Sequence, residues 1–295
     1  MKTAISGYWN ICKEDGIITA LQSFYVYYYT KYKIKKKRKE NNFTIKTHEC
    51  VIDVNPNDDG ISTELLVFGH HEPKTTKFVS SYLKTGMICL DVGANIGYYS
   101  TLYSKKIGED GKVLSIEPSP INFKYLNLNL EKQNMNNFTT FNCACGDIEG
   151  EIEFCLDSRA NKCFIPTTND ALPPNHELIK VPIRTIDSIV TETEIKKIDF
   201  VKMDVEGYEW QTLQGAINSI KKFKPTIQIE IHFNRIGHEK TIKILKFFEY
   251  EKYKIIYVNE ELQKQLTKNI SINVLIEYFS DKKKHDGFKL ILEHV

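Results

Sequence analysis

From residue 87 onward, short apolar runs alternate with segments of helical periodicity, and this alternation limits the possible folds more than any other feature. Apolar runs with the length of buried strands occupy residues 87–92, 112–116, 138–143, 198–203, 226–231 and 254–258. Helical segments are predicted at residues 98–106, 120–133, 208–221 and 238–250. Because parallel strands need crossover connections, the pattern predicts a doubly wound α/β domain with a mostly parallel sheet.

The residues before this domain are predicted to form an extension over 1–73, with the main domain covering 74–295. The extension contains an amphipathic helix at about 14–35, which overlaps a basic run at 31–39 with seven basic residues and no acid. A small β preface follows, with strands at 43–54 and 61–68 on either side of a turn. A helix at about 74–84 then leads into the main domain.

The basic run and the tyrosines before it allow two interpretations. Residues 24–39 are either a helix packed on the main domain and ending in a solvated tail, or a peripheral contact with an anionic membrane. Basic runs are usually solvated surface, so the packed helix is favoured. We expect no nucleic-acid partner, because one short basic run without a recognisable binding fold is weak evidence for one.

The remaining composition indicates an ordinary globular protein of the cytoplasm. The sequence has no apolar run of 18 residues and no recognisable signal peptide at its start. Its seven cysteines are irregularly spaced, which is typical of reduced cysteines and does not match a zinc site. We therefore expect a cytoplasmic protein without a membrane span.

A turn with two glycines follows the first strand of the main domain, between Asp91 and Gly97. A dinucleotide-binding turn has a glycine where this chain has Asn95, because the backbone must approach a pyrophosphate there. Asn95 would crowd a phosphate and Asp91 would repel one, whereas a sulfonium amino acid carries positive charge. Gly93 and Gly97 still permit a sharp turn and close helix packing. The turn therefore favours S-adenosylmethionine over a dinucleotide.

Two acids follow the next two strands. Glu117 comes directly after the strand at 112–116, where a carboxylate can accept hydrogen bonds from both hydroxyls of a ribose. Asp147 follows the third strand and is predicted to contact the amino group of adenine, although Gly-Asp is also common turn chemistry. One nucleoside-shaped ligand lying across three strand ends would reach the turn and both acids.

Five segments of the chain resemble the FkbM-type S-adenosylmethionine methyltransferases. They are Leu90–Tyr99, Ile116–Ser119, Ile198–Glu209, Leu213–Ala216 and Pro225–His232. The resemblance covers about residues 60–260 and implies the class I methyltransferase fold, a Rossmann-like sheet of seven strands whose last strand is antiparallel. We expect that strand at 272–278. The family also implies methyl transfer to oxygen more often than to nitrogen. The loop at 157–180 has no counterpart in the resemblance and is predicted to be a lid or acceptor-specific element.

The reacting groups are expected where the fourth and fifth strands end. The candidates are Asp204, Glu206, Glu230 and His232. In the strand at 226–231, polar side chains alternate with isoleucines and therefore share one face, which indicates a cleft because strands inside such sheets are normally apolar on both faces. Lys202 is unusual in a buried strand and is predicted to pair with a neighbouring acid.

Two mechanisms fit these candidates. His232 could accept the proton of a hydroxyl as a general base, with Glu230 or Asp204 orienting its ring. Alternatively, the same groups could hold a divalent cation that lowers the pKa of the acceptor hydroxyl. The base without a metal is favoured, because a cation would prefer more oxygen ligands than the sequence identifies.

The sequence therefore predicts an S-adenosylmethionine-dependent methyltransferase that acts on a hydroxyl of a small molecule or glycan. Two alternatives stay open, a nicotinamide-dependent oxidoreductase on a similar sheet and a catalytically inactive, membrane-associated scaffold of the same fold. Asn95 and Asp91 argue against the oxidoreductase. The acids at 91, 117, 204 and 206 argue against the scaffold.

Overall fold

The computed structural model of the protein describes residues 28–29, 32–33, 35–36, 43–47, 49–56, 58, 60–157, 163–166, 172, 176–266, 270–280, 282 and 285–295. The strands are β1 (Thr44–Lys46), β2 (Val51–Asp53), β3 (Ile88–Val92), β4 (Lys112–Ile116), β5 (Phe138–Phe141), β6 (Ala144–Cys145), β7 (Gly150–Asp157), β8 (His176–Arg184), β9 (Phe200–Met203), β10 (Thr226–Ile231), β11 (Tyr253–Val258) and β12 (Phe288–His294). The helices are α1 (Ile61–Phe68), α2 (Pro73–Tyr82), α3 (Tyr98–Ile107), α4 (Pro120–Glu131), α5 (Ile186–Glu192), α6 (Glu209–Gln214), α7 (Ile217–Phe223), α8 (Phe233–Tyr250), α9 (Glu260–Gln265) and α10 (Ile272–Ser280).

The central sheet has seven strands in the order β11-β12-β10-β9-β3-β4-β5. Every neighbouring pair is parallel except the two pairs that β12 makes with β10 and β11. The chain adds β4 and β5 on one side of β3 and then returns to add β9 on the other side. The order therefore switches between β3 and β9, which is where ligands bind in open sheets of this kind. The predicted seven-stranded, doubly wound fold is confirmed.

The antiparallel strand lies later in the chain than predicted. Residues 272–278, the expected strand, belong to helix α10, and the antiparallel strand is β12 at 288–294. The helix buries Ile272, Leu275 and Phe279, which follow one another at intervals of three and four residues. The apolar residues of this helix had been interpreted as the strand.

The β preface is shorter than predicted. Strands β1 and β2 both lie within the predicted strand at 43–54 and pair antiparallel with each other. The second predicted strand, at 61–68, is helix α1. Its first turn is fixed by Asp58, whose carboxylate accepts hydrogen bonds from the N–H groups of Gly60 (2.7 Å) and Ser62 (2.9 Å). Such capping of free N–H groups favours a helix start.

The predicted division between residues 73 and 74 does not correspond to a break in packing. Ile52 and Leu65, from before it, share one buried cluster with Tyr103 and Ile107, from after it. Most of the predicted amphipathic helix at 14–35 and of the basic run lies outside the described residues. No helix within the described part of the chain is both long and apolar enough to cross a membrane.

Three further elements differ from the sequence prediction. The helix predicted at 208–221 is split into α6 and α7 at Gly215, where an added Cβ would lie 1.8 Å from the carbonyl oxygen of Gly146. Helix α8 begins earlier than predicted and is kinked at Gly237 (φ 72°). Strands β6, β7 and β8 form a separate three-stranded sheet, so the predicted loop at 157–180 is in part a hairpin.

Candidate functional site

A cavity of about 320 Å³ opens where strands β3, β4, β9 and β10 end. It brings together seven of the ten site residues predicted from the sequence. They are Gly93, Asn95, Glu117, Asp204, Glu206, Glu230 and His232. The carboxyl ends of these strands face the same edge of the sheet, so these seven residues, up to 139 positions apart, share one cavity.

Two glycines shape the turn after β3. Gly93 has φ 78°, and a Cβ built on it would lie 1.8 Å from the carbonyl oxygen of Asp204. Gly97 has φ 85°, and its Cβ would lie 2.8 Å from Cδ1 of Leu126 on helix α4. A side chain at either position would therefore collide with a neighbour as well as strain the backbone. Gly97 does not line the cavity; it allows α3 and α4 to pack closely.

Glu117 is held at the cavity wall by backbone donors. Its Oε2 accepts a hydrogen bond from the N–H of Asn95 (2.8 Å), and its Oε1 accepts one from the N–H of Ser119 (2.9 Å). Burial raises the pKa of Glu117 to about 7, although these donors act in the opposite direction. The carboxylate thus links the turn after β3 to the end of β4, in the position predicted for a ribose contact.

Asp91 is fully buried and does not line the cavity. It accepts a hydrogen bond from the hydroxyl of Ser100 (2.6 Å), and its Oδ1 lies 3.3 Å from Nζ of Lys202. Lys202 also lies 3.5 Å from Oδ2 of Asp204 and donates to the carbonyl oxygen of Gly93 (3.1 Å). The predicted pairing of Lys202 with a neighbouring acid is confirmed. Asp91 therefore pairs with Lys202, a cation of the protein itself. The sequence analysis had instead expected Asp91 to attract a positively charged ligand.

The same lysine shapes the charge at the end of β9. Burial disfavours the ionised form of Asp204, but Lys202, Lys289 and His232 outweigh it and hold the pKa of Asp204 at about 2. Burial likewise opposes the cation of Lys202, yet Asp91 and Asp204 raise its pKa above the usual value. Both groups are therefore charged at neutral pH, and the strand end presents an anion to the cavity.

His232 follows strand β10 and is surrounded by carboxylates. Its Nδ1 lies 2.6 Å from Oε1 of Glu209, and its Nε2 lies 3.6 Å from Oε2 of Glu206 and 3.8 Å from Oε1 of Glu230. Burial alone would lower the pKa of His232, but the hydrogen bond to Glu209 and the neighbouring charges raise it to about 10. The ring is therefore an imidazolium at neutral pH when only protein groups surround it, and in that form it cannot accept a proton.

Glu209 is a site residue that the sequence analysis did not single out. It is fully buried at the start of α6, where its Oε1 also accepts a hydrogen bond from the N–H of Gly207 (2.9 Å). The available signal was its place at the end of the segment Ile198–Glu209, which carries the family resemblance. Through Glu209, helix α6 fixes the orientation of His232.

Two residues that the sequence analysis did not single out, Glu72 and Lys289, form a charged group with Glu230. Nζ of Lys289 contacts Oε1 of Glu72 and lies 2.9 Å from Oε2 of Glu230. The hydroxyl of Tyr99 donates to the other oxygen of Glu72 (2.8 Å). Lys289 is only 4% exposed, so these carboxylates compensate a buried cation. We call Glu72, Lys289 and Glu230 the β12 triad.

Asp147 is the predicted site residue that lies farthest from its expected place. It is exposed and does not line the cavity. The cavity wall nearest to it in sequence is formed by Cys145, with Phe154 and Ile165 also contributing. Asp147 therefore lies outside the group of predicted residues that line this cavity, and its contact with adenine stays a prediction.

One group of side chains at the reacting end has the composition of a metal site. Asp204, Glu230 and His232 each offer one ligand atom, and these atoms all lie within 4.8 Å of one another. They come from the ends of adjacent strands. No other group of this kind occurs within the described residues.

Comparison with known proteins identifies the family of the segment that contributes most of the residues lining this cavity. Residues 91–255 match the methyltransferase FkbM domain. Methyltransferase 1 of Beauveria bassiana is 27% identical over 142 residues, which cover 43% of this chain and 57% of that protein. The hexuronic acid methyltransferase AglP of Haloferax volcanii is 29% identical over 147 residues, which cover 48% of this chain and 54% of that protein. The chain thus spans about half the length of the curated relatives it matches.

Solved structures similar to this chain include methyltransferases. A methyltransferase FkbM from Methylobacillus flagellatus has a TM-score of 0.43 and 18% identity, with 78% of this chain and 52% of that chain covered. A putative rRNA methylase from Clostridium thermocellum has a TM-score of 0.44 and 11% identity, with 76% of this chain and 94% of that chain covered. The fold described above is established by the strand order itself.

Proposed function

Because the chain belongs to the FkbM methyltransferase family, we propose that it transfers a methyl group from S-adenosylmethionine to a hydroxyl group of a glycan or other small molecule. The observation that carries the cofactor part of this proposal is Glu117, a buried carboxylate on the cavity wall at the end of β4. Its two oxygens are held by backbone N–H groups, so it is preorganised to accept hydrogen bonds from a ribose.

The turn after β3 supports this cofactor over a dinucleotide. Asn95 occupies the position where a dinucleotide-binding turn has a glycine, and it lines the cavity. The backbone at Gly93 contacts the backbone of Asp204, which leaves little room for a pyrophosphate between β3 and β9. A methionine moiety needs less room, and its sulfonium is attracted by the anionic end of β9.

The acceptor would bind at the opposite end of the cavity from Glu117. Methyl transfer is an in-line displacement, so the acceptor oxygen must lie behind the methyl group on the side away from sulfur. Asp204, Glu230 and His232 line that end and offer acceptors and donors for the hydroxyl groups of a sugar. The acceptor to test first is a glycan that contains hexuronic acid, because the relative AglP, with 29% identity, is a hexuronic acid methyltransferase.

Calorimetry with the purified protein tests the cofactor assignment. We expect binding of S-adenosylmethionine and of its demethylated product. Glu117→Ala should weaken binding by about 1.5–3 kcal/mol, or roughly 10- to 150-fold in Kd, which is typical for a hydrogen bond to a charged group. Glu239→Ala is the matched control, since it removes an exposed acid on helix α8 that does not line the cavity and should leave Kd unchanged.

One binding result would contradict the cofactor assignment. Binding of a nicotinamide nucleotide, with no binding of either methionine-derived ligand, would establish the oxidoreductase reading instead. The acceptor is tested separately, by incubating the protein with labelled cofactor and hexuronic acid-containing oligosaccharides. Label in an ether-linked methyl group would support a hydroxyl acceptor, and label on nitrogen would contradict it.

A further inference from the structure

We infer that Asp204, Glu230 and His232 bind a divalent cation of the Mg²⁺ or Mn²⁺ class at the acceptor end of the cavity. Binding of the cation is inferred from this chain's own geometry. Its use, to hold and activate the acceptor hydroxyl, rests on the proposed function. The sequence favoured a base without a metal because too few ligands were apparent. The structure supplies a compact group of ligands together with supporting residues that the sequence did not reveal.

The three ligand atoms have nearly the separation that one cation requires. They lie within 4.8 Å of one another. Two ligands on opposite sides of a cation, each about 2.1–2.2 Å away, are separated by about 4.4 Å. Small rotations of the side chains would therefore complete the group around one ion. Because the ligands stand at the ends of adjacent strands, β9 and β10, their backbone positions are fixed by the sheet.

His232 is oriented as a metal ligand usually is. Its Nδ1 lies 2.6 Å from the fully buried carboxylate of Glu209, and this contact turns Nε2 towards the carboxylates of Glu206 and Glu230. Histidines that bind metals nearly always donate their other N–H to a carboxylate, carbonyl or water. Within the described residues, Oε2 of Glu209 has no hydrogen-bond partner, so this buried carboxylate is not satisfied by protein groups alone.

Carboxylates outnumber the basic groups around the cavity. Six carboxylates meet two lysines and the imidazole of His232, while Arg235 lies beside Glu206 and His71 lies 3.7 Å from Glu72. The carboxylates are Glu72, Asp91, Asp204, Glu206, Glu209 and Glu230, and the lysines are Lys202 and Lys289. A divalent cation among Asp204, Glu206 and Glu230 would compensate the carboxylates that line the cavity.

The three ligand side chains indicate which kind of ion would bind, and they leave coordination positions open for the acceptor. The two carboxylates suit Mg²⁺ or Mn²⁺, which retain open positions for water or substrate, and the imidazole favours Mn²⁺ of the two because Mg²⁺ takes oxygen ligands. The acceptor hydroxyl would occupy one such position, where the cation lowers its pKa. In the transfer a C–O bond forms, the C–S bond of the sulfonium breaks, and the hydroxyl proton leaves to the carboxylate of Glu206, which lines the same cavity.

Binding of Mn²⁺ alone, followed by electron paramagnetic resonance, tests the inference on the full chain after treatment with a chelator and dialysis. We expect loss of the free-ion signal with a stoichiometry of one per chain. Glu230→Gln and His232→Gln should each weaken binding at least tenfold. Glu209→Gln, which removes support for the His232 ring, should weaken it by about 10- to 100-fold. Glu239→Gln is the control, because Glu239 is an exposed acid on helix α8 that pairs with Lys243.

Thermal unfolding without Mn²⁺ shows whether each variant is folded. Even if a variant does not fold, the wild-type titration shows whether the chain binds the cation. Absence of wild-type binding up to about 1 mM Mn²⁺ overturns the inference, as does equal binding by the Glu230→Gln and Glu239→Gln variants. Cofactor binding without Mn²⁺ binding would reject the cation and leave the proposed function standing. Mn²⁺ binding without cofactor binding would support the cation site and contradict the proposed function.

Discussion

Gly93 joins the two halves of the candidate site, and replacing it with alanine should disturb both. Its backbone has φ 78°, which costs a residue with a Cβ about 1–2 kcal/mol. The added Cβ would also lie 1.8 Å from the carbonyl oxygen of Asp204, less than half the separation of ordinary contact. Forcing an atom into packed structure costs about 1–3 kcal/mol. Together these terms predict that Gly93→Ala lowers the free energy of unfolding by about 2–5 kcal/mol.

Gly86→Ala isolates the contact from the backbone strain. Gly86 has nearly the same conformation, φ 80°, but no atom lies within 4 Å of the Cβ that alanine would add. This variant should therefore lose only the conformational part, about 1–2 kcal/mol. Urea denaturation followed by circular dichroism measures both variants against the wild type at one pH. The difference between them reports the contact with Asp204.

The two variants should also differ in ligand binding. Gly93 accepts a hydrogen bond from Lys202, and its Cβ would push the turn after β3 away from the end of β9. We expect Gly93→Ala to lose binding of S-adenosylmethionine at concentrations where Gly86→Ala still binds normally. Equal loss of unfolding free energy in the two variants, or unchanged cofactor binding in Gly93→Ala, would refute the close approach between these strands.

Two further predictions concern buried charges. Burial holds the pKa of Glu117 at about 7, and a ribose hydroxyl donates better to its ionised form, so cofactor affinity should rise as pH rises through 7. Calorimetry should find binding roughly tenfold weaker at pH 6 than at pH 8; a Glu117→Gln variant with the same pH dependence would contradict this cause. Lys202→Met leaves Asp91 and Asp204 without their shared cation and should lower the free energy of unfolding by about 3–5 kcal/mol in urea titrations at pH 7. Lys243→Met, at an exposed pair, should change it by less than about 1 kcal/mol, and similar losses in both variants would count against the buried pairing.

The parts of the site that follow from local pattern and strand order could be predicted from the sequence. Apolar runs placed β3, β4, β9 and β10, and the convergence of parallel strand ends placed Glu117 and Asp204 on one cavity. The pairing of Lys202 followed from the cost of burying an unpaired cation. In each case the signal lay within a few residues, or in the topology that the alternation of elements implies.

The parts that depend on distant contacts could not be predicted in this way. Lys289 meets Glu72 across 217 positions of sequence, and no local pattern connects them. The antiparallel strand was misplaced because the apolar residues of α10 were interpreted as a strand of similar length. For Asp147, Gly-Asp fits an exposed turn as well as a ligand contact, and only the fold separates the two.

The β12 triad has a consequence for how acceptor preference can diverge among relatives of this chain. Of its three residues, only Glu230 lies within the segment 91–255 that identifies the family, while Glu72 precedes that segment and Lys289 follows it. Two proteins can therefore share every residue of that segment and still differ in the groups that contact Glu230. Transferring a substrate from one relative to another on the strength of that segment alone overlooks two of the three residues of the triad. A chimaera that exchanges the flanks and keeps residues 91–255 would change the surroundings of Glu230 while leaving Glu117 and the turn after β3 in place.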